Sequence, residues 1–228
     1  TEGDEAVIHV TNKMDVATSI HWHGLLLPGE MDGVPTFNGF PGIMAGETFT
    51  YRFPLKQTGT YWYHAHSAGQ EQDGLYGSII VDPKGKDPIR SERDYVVVLS
   101  DFTHEESGEV MGNLKMSSDY YGTARRTLGD FFGDTESKGW DKAWKDAKDW
   151  GERRMMITDL ADVTGYTFLV NGKSPEQNWT GLFKPGERVR LRFINASAMS
   201  FFDVRIPGLK MSVVQSDGQN VEPVSVDE

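Results

Sequence analysis

The strongest constraint on the fold is a series of short segments in which apolar and polar residues alternate, separated by turns rich in glycine and proline. In residues 5–11 the apolar residues Ala6, Ile8 and Val10 occupy every second position, and residues 47–53 repeat the pattern with aromatic rings. A period of two places these side chains on one face of a β-strand. Short strands at regular spacing predict an all-β sandwich or barrel.

The pattern predicts two β domains. The first covers residues 1–83 and starts directly in a strand pattern, as if it lacked its first strand. The polar segment at 84–92 is rich in proline, glycine and charge and is predicted to be a linker. The second domain is predicted over residues 93–228. It contains about five strands, fewer than the roughly seven of a full sandwich, so we expect it to be incomplete.

A helical insertion is predicted within the second domain at about residues 104–160, where the period of two is lost and charge increases. Apolar residues recur there at spacings of three and four, at Trp140, Ala143, Trp144, Ala147 and Trp150. This spacing forms one stripe on a helix. We interpret the stripe as a packed amphipathic helix rather than a partner-binding face.

After the insertion, strands are predicted to resume in residues 187–195, where arginines alternate with apolar residues. The apolar positions are Val189, Leu191 and Phe193, and the arginines are Arg188, Arg190 and Arg192. Alternation of this kind is typical of a half-buried strand.

Composition excludes several classes of protein. The formal net charge of −11 opposes binding to nucleic acid or to an anionic membrane surface. No run of 18 or more apolar residues is present, so no membrane span is predicted. The N-terminal residues show neither the basic start nor the apolar core of a signal peptide. The chain has no cysteine, which excludes disulfides, thiolate metal sites and a cysteine nucleophile.

Four of the six histidines form two His-x-His pairs, His21 with His23 and His64 with His66. Residues i and i+2 of a strand point to the same face, so each pair can present two imidazoles to one point. Neutral imidazole is a good ligand for copper, zinc, iron and nickel. Two such pairs flanked by aromatic residues therefore predict a metal site, in preference to four histidines that only make hydrogen bonds.

The type of metal site is narrowed by the surrounding carboxylates. A cupin site needs a glutamate three or four residues beyond its second histidine, but Glu30 lies seven residues beyond His23. A two-histidine, one-carboxylate iron site could use Asp32, yet it leaves the second histidine pair without a role. A mononuclear zinc or copper site, or half of a larger cluster, remains open. A zinc hydrolase would need a general base, for which Asp32 or Glu30 is a candidate.

The order of these motifs resembles the N-terminal cupredoxin domain of multicopper oxidases. The matching segments are HWHGLLLPGEMDGVP and FPGIMAGETFTYRFPLKQTGTYWYHAHSAGQEQDGLYGSIIVDP. The rest of the chain, including ERRMMITDLADVTGYTFLVNG and GLFKPGERVRLRFINAS, is similar to the bacterial copper-resistance branch of that family. The resemblance implies cupredoxin-like Greek-key β-sandwich domains, copper cofactors and a periplasmic location.

The resemblance also implies roles for individual residues. His21 would bind the type 2 copper and His23 a type 3 copper, while His64 and His66 would bind the type 3 coppers. Asp32 matches the acidic residue that is linked to proton delivery during dioxygen reduction; the alternative is an ordinary turn aspartate before Gly33. Met111 and Met116 could form a weak cuprous site, although packing in the core or in a loop is the favoured role.

The chain departs from the family in one respect. The HxxHxH and HCH elements, through which the family's C-terminal cupredoxin domain completes the cluster, do not occur in these 228 residues. We therefore expect this chain to be the N-terminal part of a longer oxidase, contributing half of the trinuclear copper ligands and inactive alone. Its expected partners are dioxygen, the C-terminal domain, and a cuprous ion or phenol-like electron donor. The competing hypothesis is a non-catalytic protein that sequesters copper through the four histidines.

Overall fold

The structure is a computed structural model that describes residues 1–121, 127–151, 163 and 165–227. The described residues form ten strands and three α-helices. The strands are β1 (Glu5–Thr11), β2 (His21–His23), β3 (Thr48–Pro54), β4 (Gly59–His64), β5 (Tyr76–Val81), β6 (Arg93–Phe102), β7 (Thr167–Val170), β8 (Val189–Asn195), β9 (Met211–Ser216) and β10 (Gln219–Val226). The helices are α1 (Ser107–Met116), α2 (Leu128–Lys138) and α3 (Trp140–Gly151).

The chain divides into two compact units, and the candidate site lies in the first. This unit contains residues 1–102 and 167–228, and the second contains residues 103–166. The three helices all fall within the predicted insertion at about 104–160. The domain boundaries at 83 and 93 remain a prediction. No helix among the described residues has the length and apolar character needed to cross a membrane.

Two small sheets enclose the core at the start of the chain. β1 pairs antiparallel with β3, and β4 lies between β2 and β5 in a three-stranded sheet. The alternation predicted for residues 5–11 and 47–53 is confirmed, since the apolar side chains of β1 lie opposite the aromatic rings of β3. Trp22 of β2 joins the sheets, because its ring packs 5.0 Å from Tyr51 and 5.6 Å from Phe53, centroid to centroid.

A second three-stranded sheet has β6 at its centre. β7 pairs antiparallel with one edge of β6, and β8 pairs parallel with the other. The backbone of β6 is therefore paired along both edges, and its side chains Val97 and Leu99 are buried. A hairpin of β9 and β10 follows, and the turn at Gly218 lies against Gly59 at the start of β4.

Strand β8 is half-buried as predicted, but its more buried face carries the arginines. Arg190 and Arg192 are both buried, whereas Phe193 is 39% exposed. The two guanidinium groups are buried because each has an acidic partner. Arg190 donates to Asp87 at 2.8 Å, and Arg192 makes a bidentate pair with Asp94 at 2.7 and 2.6 Å. Charge pairing thus overrides the apolar-in, polar-out expectation for this strand.

The second unit consists of the helices. α2 begins with a capping box in which Thr127 and Asp130 each accept a hydrogen bond from the other's backbone N–H. The helix predicted around residues 140–150 is confirmed as α3. Its Ala143 is fully buried, but the rings of Trp140 and Trp144 are more than half exposed. The side chain of Trp150 lies outside the described residues.

Candidate metal centre

The two histidine pairs meet because β2 and β4 are neighbouring antiparallel strands. His21 lies directly opposite His64, and His23 lies opposite Trp62. Between the two histidines of β2, Trp22 points the other way and is buried in the core. Burial of this one ring fixes which face of β2 carries the imidazoles, since neighbouring residues of a strand alternate.

Three of the four predicted histidines converge on one point. Ligand nitrogens of His21, His23 and His64 all lie within 4.8 Å of one another. His66 follows the end of β4 and lies outside this group, although its ring centroid is only 5.6 Å from that of His21 and 5.9 Å from that of His64. The structure therefore places all four imidazoles in one neighbourhood, with three of them as a close group.

Asp32 contacts the first histidine of the group. The Nδ1 atom of His21 lies 2.8 Å from the backbone oxygen of Asp32 and 3.3 Å from its carboxylate Oδ1. A backbone oxygen can only accept, so this contact places the proton of a neutral His21 on Nδ1 and leaves Nε2 as the lone-pair nitrogen. The chain can make this turn because Gly33 adopts a φ of +76° and packs tightly against the carbonyl group of Ile20.

Glu71 contacts His64 through its side-chain carboxylate. Its Oε2 atom lies 2.7 Å from Nδ1 of His64, and the same nitrogen lies 2.9 Å from the backbone oxygen of Ala65. On the opposite side of the ring, Nε2 of His64 lies 3.2 Å from Nδ1 of His23. The ring of Trp62 stacks on His64 at 4.3 Å between centroids, which restricts rotation of the imidazole.

The pKa values of the two touching histidines move in opposite directions. Burial is the largest influence on His64 and lowers its pKa, but the hydrogen bonds to Glu71 and Ala65 outweigh it, so the pKa is raised overall. Burial and the nearby His64 and His21 lower the pKa of His23. The protonated form of His23 therefore loses its proton more readily than that of His64. A histidine must be deprotonated at the binding nitrogen to hold a metal ion.

The contact made by Glu71 is not predicted by the periodicity of the sequence. It lies seven residues after His64, in a loop between β4 and β5, where the i, i+2 rule for strands has no bearing. The sequence signal was only that an acidic residue follows each histidine pair, Asp32 after the first and Glu71 after the second.

Met111 and Met116 lie on α1 in the second unit. Being five residues apart, they point about 140° apart around the helix, so α1 does not place them side by side.

The donor set fits a copper or zinc ion. All three converging groups are imidazoles, two of them have Nδ1 hydrogen-bonded to oxygen acceptors, and no thiolate is available. Imidazole nitrogens bind such ions at about 2 Å, so nitrogens this close together suit one ion or two adjacent ions. His23 and His66 are exposed, which leaves the outer side of the group open to further ligands.

Comparison with known proteins identifies the family of the chain. Residues 1–86 and residues 93–228 each match a family profile described as multicopper oxidase. Copper resistance protein A of Pseudomonas syringae pv. tomato is 54% identical over the whole chain, and its Escherichia coli namesake is 53% identical. The chain spans only 37% and 38% of their respective lengths.

Solved structures agree on the fold. A multi-copper oxidase from Pseudomonas thermotolerans superimposes with a TM-score of 0.68 at 26% identity, covering 98% of this chain and 44% of the other. The predicted all-β, cupredoxin-like fold with a helical insertion is thereby confirmed. With both sequence profiles and the fold in agreement, this chain belongs to the multicopper oxidase family, whose cofactors are copper ions.

Proposed function

We propose that the chain supplies His21, His23, His64 and His66 to a trinuclear copper centre that is completed by a C-terminal cupredoxin domain. The observation that carries this proposal is the convergence of ligand nitrogens from three imidazoles within 4.8 Å, with Nδ1 of two rings hydrogen-bonded to oxygen acceptors. The greater length of the curated relatives supports a further ligand-bearing segment.

The roles that we assign to individual histidines are supported by the family pattern and by the geometry. His21 would bind the type 2 copper through Nε2, since its Nδ1 faces Asp32. His23, His64 and His66 would bind the two type 3 coppers. The displacement of His66 from the close group suits a set of ligands divided among several ions rather than one.

The reaction we propose is the one-electron oxidation of cuprous ion or a phenol-like donor, coupled to four-electron reduction of dioxygen to water. Bound copper would supply the redox steps. The residues of this chain hold and orient the imidazoles, and Asp32 would supply protons. Its carboxylate lies 3.3 Å from the His21 ring and is 28% exposed, so it can exchange protons with water. A periplasmic location is part of the same proposal.

Oxygen uptake by the purified 228-residue chain tests this function. We expect the chain to bind copper yet to show no sustained oxygen consumption with a phenol or cuprous donor, because half of the ligands are supplied elsewhere. The matched control is the same chain with His21 and His64 both changed to alanine. Steady consumption by the copper-loaded wild type above that control would contradict the proposal.

A further inference from the structure

Among the described residues, Glu71 supplies the one carboxylate that lies within 3.0 Å of an imidazole of His21, His23 or His64. Its Oε2 lies 2.7 Å from Nδ1 of His64, and both side chains are largely shielded, with 31% and 7% exposure. At His21 the corresponding 2.8 Å contact is made by a backbone oxygen. A substitution at position 71 can therefore remove the bond, whereas one at position 32 leaves the backbone oxygen in place.

The contacts of His64 determine where its proton lies. Its Nδ1 faces two acceptors, the Glu71 carboxylate and the Ala65 carbonyl oxygen, so Nδ1 must be the donor. In the neutral ring Nε2 then carries the lone pair and faces Nδ1 of His23 at 3.2 Å. This is the tautomer in which Nε2 can bind a metal.

The loop that carries Glu71 is itself anchored. The neighbouring Gln70 donates to the backbone oxygen of Ala17 at 2.9 Å and accepts from the hydroxyl of Thr18 at 2.7 Å. Ala17 and Thr18 lie just before β2, the strand that carries the first histidine pair. The Gln70 contacts therefore tie the loop that carries Glu71 to the segment just before β2, rather than leaving it free.

We propose that Glu71 is a positioning residue of the metal centre: by accepting the Nδ1 proton of His64, it fixes the tautomer and ring orientation that present Nε2 to the metal. The identity of that metal rests on the proposed function, but the tautomer does not. A carboxylate behind a ligating histidine also raises the basicity of the ligand. The expected consequence of losing it is weaker metal binding without loss of the fold.

The first test is the tautomer of His64 in the metal-free wild-type chain, measured by long-range ¹H–¹⁵N NMR of the histidine rings. We expect the proton on Nδ1, slow to exchange with water. A proton predominantly on Nε2 would overturn the proposal. This measurement needs no variant, so it stands even if a substitution at position 71 prevents folding.

The second test compares Glu71→Ala and Glu71→Gln, with Glu222→Ala as the matched loss of an exposed carboxylate on β10. We expect Glu71→Ala to weaken Cu(II) binding by about 10-fold to 100-fold and to lower the Nδ1–H population of His64. Glu71→Gln keeps an acceptor oxygen and should restore most of both, and Glu222→Ala should match the wild type. Wild-type affinity and tautomer in Glu71→Ala would overturn the role.

The two proposals fail in different ways. If the wild type binds no copper, the proposed function falls, while a His64 tautomer that depends on Glu71 still supports the positioning role. If copper binds through the histidines but Glu71→Ala changes neither tautomer nor affinity, the positioning role falls and the proposed function stands.

Discussion

At the scale of single residues, the site depends on the alternation along β2. Trp22 is buried against Tyr51 and Phe53, and this directs His21 and His23 to the opposite face. The sequence predicted these imidazoles because a period of two can be read without knowing the fold. It could not predict Glu71, whose approach to His64 depends on how a loop folds back, and loop geometry has no periodic signal.

Gly33 is the residue whose replacement should best reveal how tightly the Asp32 turn is built. A Cβ at this position would lie 1.8 Å from the backbone oxygen of Ile20, just before His21. Gly39 has nearly the same φ, +77° against +76°, but a Cβ there meets nothing within 4 Å. Gly39→Ala should therefore cost about 1 kcal/mol for the backbone conformation alone.

Gly33→Ala should cost at least about 2 kcal/mol more, because the turn must move away from β2. It should also weaken copper binding, since Asp32 then loses its contact with His21. Urea denaturation of the two variants and the wild type measures the difference. Equal stability of Gly33→Ala and Gly39→Ala would contradict the close packing described for this turn.

At the scale of elements, strand positions were predictable but the buried face of one strand was not. β8 falls where the alternation of residues 187–195 places it, yet the face with Arg190 and Arg192 is the more buried one. Their partners, Asp87 and Asp94, are about a hundred residues away in sequence. Sequence patterning cannot show that an arginine will meet a distant carboxylate, so it assigns charge to the surface by default.

This pairing predicts an asymmetry between two substitutions at the β6–β8 pair. The Arg192 side chain is 8% exposed, whereas that of Asp94 is 40% exposed. Asp94→Ala leaves a buried guanidinium without its bidentate partner and should lower the free energy of unfolding by about 3 kcal/mol. Arg192→Met keeps the packing and leaves a carboxylate that water can reach, so the loss should be about 1 kcal/mol.

Chemical denaturation at neutral pH measures both effects, with Arg205→Ala, an exposed arginine, as the control. Arg205→Ala should change stability by no more than about 0.5 kcal/mol. If Arg192→Met lowered the free energy of unfolding as much as Asp94→Ala, or more, burial of the guanidinium would not determine the energetics of this strand pair.

At the scale of the whole molecule, the all-β class and the helical insertion were predictable because strand and helix periods differ along the chain. Family membership agrees with both. The exposed imidazoles of His23 and His66, together with relatives more than twice as long, are the basis of our proposal that further chain completes the centre.

X-ray absorption spectroscopy of the copper-loaded 228-residue chain tests most directly whether the converging imidazoles bind copper. Convergent imidazoles predict a first shell dominated by nitrogen at about 2.0 Å, with the outer-ring scattering typical of histidine. The double variant His21→Ala, His64→Ala should lose this signature, whereas His9→Ala, which changes an exposed histidine hydrogen-bonded to Thr50, should retain it. A copper shell without imidazole scattering, or one unchanged in the double variant, would show that these histidines do not hold the copper.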